Sequence, residues 1–173
     1  DFAKRLNFGV VYGIGAPRFA NMTGMSLSEA EATLRRYFQT YRLLDTYLRD
    51  TATQALEARQ VRTASGRLVR YRFDPNNKQQ VSSTRRKARN APIQGTGSDI
   101  FKRALRLVGE ELKGTSARIV NIIHDEIVVE VDACEAEDIG RRVSLRMVQA
   151  GEEYLTSVPL QAEPQITSEW IKD

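Results

Sequence analysis

The chain has 173 residues, 41% of them hydrophobic, a net charge of +4 and a single cysteine, Cys134. That is about one domain with enough apolar material for a core, and one cysteine excludes an intrachain disulfide and suits a reducing, cytoplasmic setting. No apolar run approaches the roughly 18–20 residues that span a bilayer, and an opening of acid, aromatic and basic residues is no signal peptide, so a soluble chain without membrane association is expected.

Residues 1–13 read as a helix closed by Gly13, followed by a Gly-Ile-Gly-Ala-Pro turn and a short helical piece to Gly24. Ser26 and Glu29 have the spacing of a capping box. They open a helix that carries Ala30, Leu34, Tyr37 and Phe38 on one face. Another helix is expected from Leu43 to Ala58. Residues 60–63 and 68–73 flank Ala64, Ser65 and Gly66 as a hairpin. A basic helix follows from Gln79, breaks at Pro92 and resumes over residues 98–112. The strongest β signal is the pair 118–123 and 126–131, with only His124 and Asp125 between them. Residues 133–154 read as a helix and 160–163 as a last strand. Helices first and a β-helix mixture later point to an α+β fold with two sub-regions, not a repeated βα unit.

Charge is informative by position. Between Arg59 and Arg106 there are 13 Lys or Arg and two acids, Asp74 and Asp99, so this window carries +11 against −7 for the rest. A block so one-sided repels itself unless an anion joins it. Of the 26 basic residues 20 are arginine, whose planar fork suits phosphates and base edges. Nucleic acid is the partner this favours, with a generic basic helix face as the other reading.

Three constellations carry possible chemistry. Lys4, Phe8 and Tyr12 are spaced i, i+4, i+8 and share a helix face. An ammonium, an apolar ring and a phenol in a row suit a nucleotide; a core stripe with a snorkelling lysine is the alternative. Gly9 and Gly13 weigh against the core stripe, since each weakens a helix by about 1 kcal/mol and leaves flat space for a base. Arg86, Asn90 and Gln94 can donate to the minor-groove acceptors common to all base pairs, or simply decorate a helix break. His124, Asp125 and Glu126 set two carboxylates and the only histidine at the end of a strand apolar enough to be central and buried. An ordinary Asp-containing turn competes with a metal site there.

Together and in this order the three are specific. The run Lys4-x-x-Asn7-Phe8-Gly9-x-x-Tyr12-Gly13 resembles the K-x-x-N-F-G-x-x-Y-G part of the fingers helix of family A DNA polymerases, the bacterial DNA polymerase I type. Arg86-x-x-x-Asn90-x-Pro92-x-Gln94-Gly95-Thr96-x-x-Asp99 is similar to that family's R-x-x-x-N-x-P-x-Q-G-T-x-x-D segment. Ile123-His124-Asp125-Glu126 matches its V-H-D-E metal-binding motif, and Val158 through Trp170 resembles its C-terminal strand and tail. The resemblance covers essentially the whole chain.

The resemblance implies fingers over residues 1–77 and the C-terminal palm over 78–173, with the hairpin at 118–131 packed by helices. It implies that Lys4 binds the incoming dNTP triphosphate and protonates the departing pyrophosphate. Phe8 packs on sugar and base, and Tyr12 lies near the templating base. Arg86 and Asn90 touch primer-template DNA, Gln94 the minor groove and His124 the primer end. Asp125 is a Mg²⁺ ligand with Glu126 beside it. The reaction is attack of a primer 3′-hydroxyl on the α-phosphorus, clamped by two metals about 3.5–4 Å apart. A monomer serving replication or repair is the expectation.

Four departures qualify this. The family's arginine four residues before Lys4 would fall at position zero, and its D-Y-S-Q-I-E-type strand has no counterpart here. Arg85 stands where an acid is common, and Arg42 where Pro is usual. The sequence is therefore expected to begin within the fingers helix of a longer enzyme and to be inactive alone. A non-catalytic nucleic-acid-binding relic is the alternative, and a related single-subunit RNA polymerase is disfavoured by Asn7-Phe8-Gly9.

Overall fold

The computed structural model describes residues 2–170, which form an α+β chain of two compact units, one through Gly95 and one from Thr96. In the first unit α1 (Phe2–Val11) ends where Gly13 takes a positive φ of 69° and its N–H donates to the Val10 carbonyl. Only a residue without Cβ adopts that turn cheaply. The part of the expected helix at Asp1 lies outside the described residues. Next come α2 (Ala16–Thr23) and α3 (Leu27–Thr40). The capping box forms as expected: the Glu29 N–H donates to Ser26 Oγ, and the Ser26 N–H donates to a Glu29 carboxylate oxygen at 2.9 Å. Phe19, Ala20 and Ala30 are buried together, with Leu6, Ile14 and Leu34 against them.

After α4 (Arg42–Glu57) a short antiparallel hairpin, β1 (Gln60–Arg62) and β2 (Leu68–Arg70), pairs Val61 with Val69. Its strands are shorter than expected, because Thr63 already belongs to the turn, accepting from the Gly66 N–H at 2.9 Å. The chain enters β1 through Arg59, whose positive φ of 53° is held while its guanidinium lies 5.0 Å from the Phe73 ring centroid.

The largest departure from expectation is α5, a single helix from Lys78 to Glu111 that continues through Pro92. A proline inside a helix removes one hydrogen bond and crowds the preceding turn, at a cost of about 3 kcal/mol. Burial on both sides of the proline offsets it. Before it, Ala88 is fully buried with Ala55 and Val61. After it, Ile100, Ala104 and Leu107 are buried with Ala150.

The second unit adds β3 (Arg118–Ile123), β4 (Glu126–Glu130), a 3₁₀ turn (Ala133–Glu135) and α6 (Ala136–Glu152). The hairpin packs Ile119, Ile127 and Val129 on Val108, Leu112, Ile139 and Val143. The expectation of a central, buried β3 is not met. Among the described residues β3 pairs with β4 alone, and Val120 and Ile122 are 51% and 48% exposed. A bulge between Ile119 and Asn121 leaves Val120 unopposed, which re-aims the strand beyond it. Residues 160–163 are not a strand either. Their polar backbone is met by α6 instead, where the Ser144 hydroxyl donates to the Ala162 carbonyl. Glu111 ties α5 to α6, accepting from Arg142 Nε and Arg146 Nε at 2.7 Å each.

Gly95 marks a close approach of α5 to the β1–β2 turn. A Cβ there would fall 2.5 Å from Thr63 Cγ2, and Arg67 Nη2 donates to the Gly95 carbonyl at 3.1 Å. Thr63 is buried and cannot yield. Gly95→Ala should therefore destabilise the fold by about 1–3 kcal/mol. Gly97→Ala, where a Cβ meets nothing within 4 Å, should stabilise it by up to about 1 kcal/mol through helix propensity. Urea unfolding of the two variants checks the opposite signs.

Candidate functional site

Lys4 and Phe8 lie on the exposed face of α1, and Tyr12 follows directly after its last residue. Phe8 and Tyr12 are 54% and 52% exposed, whereas Val10 on the other face is 2% exposed. The core-stripe reading of this spacing is therefore wrong. These side chains line a cleft of about 1380 Å³ within the first unit, whose opposite wall is the stretch of α5 from Ser82 to Gln94. Arg86, Asn90 and Gln94 stand on that wall, one helical turn apart from each other. Six of the residues singled out from sequence thus share one cavity.

The cleft is strongly basic. Seven of the residues lining it are Lys or Arg and none is acidic. Gly13 lets the wall close in: the place a Cβ would occupy is 3.5 Å from both Arg86 Cγ and Arg89 Nη1. Ser82 Oγ accepts from Arg86 at 2.7 Å and steers its guanidinium. Gln94 Nε2 donates to the Tyr12 hydroxyl at 3.0 Å, joining the two walls. Asn90 is 8% exposed, and its Oδ1 is buried without a partner.

Arg89, one of the 13 basic residues between Arg59 and Arg106, carries no expected role from sequence. It lines the cleft half-buried, with its Nε unpaired. Burial, then repulsion from Arg85, lowers its pKa from the usual arginine value, and Asp45 opposes the shift. A guanidinium with lost hydration and like-charged neighbours gains from an incoming anion. The signal available in sequence was its position three residues after Arg86, on the same helix face.

His124, Asp125 and Glu126 lie in the second unit, all exposed, at the turn that joins β3 to β4. Ile123 pairs with Glu126, leaving a two-residue loop in which His124 has a φ of 53°. A positive φ at the first loop position is where glycine is ordinary. A histidine there is strained, and such strain gathers at functional turns. Trp170 Nε1 donates to Glu126 Oε1 at 3.3 Å. Among the described residues no three His, Cys, Asp or Glu are grouped to hold a metal ion. Two adjacent carboxylates could contribute to a Mg²⁺ site, but they do not complete a two-metal one.

Residues 1–172 match the profile of DNA polymerase family A. The chain belongs to that family. It is 35% identical to DNA polymerase I of Aquifex aeolicus, matching all of this chain and 30% of that protein. It is 37% identical to DNA polymerase I of Pseudomonas aeruginosa, over 97% of this chain and 18% of that one. The polymerase domain of Pol1 from M. smegmatis, solved with DNA primer-template and dNTP, superposes with a TM-score of 0.80 at 33% identity, covering 86% of this chain and 27% of that one. The family A chain thus spans less than a third of the length of these relatives.

If His124 is held in a strained loop, removing its Cβ should relax the loop. His124→Gly should raise stability by up to about 1 kcal/mol despite glycine's greater freedom in the unfolded chain. Thermal unfolding of the variant checks the sign.

Proposed function

We propose that these residues work as part of a longer DNA-directed DNA polymerase, with fingers over 1–77 and palm over 78–173, acting on primer-template DNA and dNTPs. The observation that carries this is the cleft in which Lys4, Phe8, Tyr12, Arg86, Asn90 and Gln94 face one space. Lys4 offers its ammonium to the triphosphate and is the candidate donor of a proton to pyrophosphate. Phe8 gives a flat apolar surface to sugar and base. Tyr12, oriented by Gln94, borders the templating base. Arg86 and Asn90 contact the duplex, and Gln94 reaches its minor groove.

The second unit contributes His124 toward the primer end, with Asp125 and Glu126 as the acids beside it. A Mg²⁺ ion held there would lower the charge of the reacting phosphate and the pKa of the primer hydroxyl. Asp125 is the proposed ligand, and further carboxylates must come from outside residues 1–173. These residues alone are therefore proposed not to extend primers. Cytoplasmic location, a monomeric state and a role in replication or repair belong to the same reading. The family assignment supports it; among the described residues no helix is long and apolar enough to cross a membrane.

Two outcomes follow. In the longer polymerase, Asp125→Ala should lower nucleotide addition by at least about a hundredfold, the scale of losing one electrostatic stabiliser, while primer-template affinity stays within about threefold. Addition near the wild-type rate would remove the hairpin turn from the reaction, and DNA binding without any synthesis in the unaltered protein would favour a non-catalytic relic. Residues 1–173 should bind duplex DNA without sequence preference and with strong salt dependence. Each phosphate neutralised contributes about −0.9 to the slope of log K against log salt. The seven cleft cations therefore bound that slope near about −6, and a slope near zero would contradict the cleft as the binding surface.

A further inference from the structure

The segment after α6 forms no strand, yet it is held at every second or fourth residue. Gly140, Ser144 and Gly151 fall within about 40° of one another around α6, since each residue turns the helix by about 100°. Leu160 fills the space over Gly151, where a Cβ would lie 2.6 Å from Leu160 Cδ1. Ser144 holds the Ala162 carbonyl. Pro164 and Ile166 cover Gly140, 3.3 and 3.7 Å from where its Cβ would stand. Contacts at 160, 162, 164 and 166 thus meet α6 at 151, 144 and 140, so the segment runs back along the helix as a strap. The Thr167 hydroxyl donates to the Glu169 carbonyl at 2.6 Å, and Trp170 then reaches Glu126.

The contact is specific to one carboxylate oxygen. Glu126 is exposed at the first position of β4, and a glutamate so placed has several rotamers open to it. Among the described residues the Trp170 indole is the one hydrogen-bond donor to its side chain. Indole N–H is a donor only, so the bond persists only while Glu126 presents an acceptor. It engages Oε1 alone.

We propose that Trp170 is a positioning residue: the strap on α6 delivers its indole N–H to Glu126 and fixes that carboxylate beside the His124–Asp125 turn. The inference rests on the proposed polymerase reading of that turn. Trp170 touches no reacting group; it acts through Glu126.

The test uses the longer polymerase and a double-mutant cycle. Trp170→Phe keeps the ring and removes the donor. It should lower kcat about fivefold, the scale of one hydrogen bond, with KM for dNTP and primer-template affinity changed less than about twofold. In a Glu126→Ala background the same substitution should change kcat less than about twofold, because there is no carboxylate left to position. Trp170→His, which restores a ring N–H at similar reach, should recover most of the loss; it also keeps the test alive if Trp170→Phe folds poorly. Equal losses from Trp170→Phe with and without Glu126, or no loss in either, would overturn the inference while leaving the turn's role intact. A Glu126→Ala variant as active as the wild type would instead bring down the polymerase role of Glu126, and the inference with it.

Discussion

One core cluster of the first unit and both of the second draw on residues of a single helix, and that helix contains a proline. The hydrogen bond that Pro92 cannot make must be offset by side chains packed before and after it. Ala88 meets Ala55 and Val61 on one stretch, and Ile100, Ala104 and Leu107 meet Ala150 on the other. Small residues at 88 and 91 let the β1–β2 hairpin approach α5 closely, and Gly95 carries that approach to its limit at Thr63. The same stretch presents Arg86, Asn90 and Gln94 to the cleft, so their spacing on the wall depends on the helix staying regular through residue 92.

The cleft also illustrates a conflict between stability and binding. Seven cations without an acid raise the energy of the isolated fold. Arg89 is desolvated, next to Arg85, and lacks a partner for Nε, with Asp45 as the opposing charge. A fold selected for stability alone would place a carboxylate there or an apolar side chain. The arrangement makes sense when a polyanion completes it, since counterions released from the ligand and lost repulsion both favour association. On the proposed function, stability is held back at the cleft, as happens where function needs strain.

Much of this was legible in the sequence because it depends on local chemistry. The capping box of Ser26 and Glu29, the Gly13 and Gly24 stops and the His124–Asp125 turn each follow from two to four neighbouring residues. Motif order carried the family resemblance, but that Lys4, Phe8 and Tyr12 share a cleft with Arg86, Asn90 and Gln94, more than 70 positions away, came from the structure. What was not legible depends on long-range packing. Pro92 reads as a break because its neighbours' burial is invisible in sequence. Ile119 to Ile123 reads as buried because alternation says nothing of how many strands flank it. Leu160 to Glu163 reads as a strand because β propensity is the same whether the partner is a strand or the glycine-lined face of α6.

The bond between Gln94 and Tyr12 has a consequence for competition at the cleft. It is the sole link that the described residues make between the phenol of α1 and the amide of α5, and it is open to water. A bond of that kind is worth about 0.5–1.5 kcal/mol net, roughly one to two and a half times thermal energy. An acceptor arriving at Gln94 can take its second amide hydrogen, so it need not compete with Tyr12 for the first. The link between the two walls can then persist while Gln94 serves a ligand.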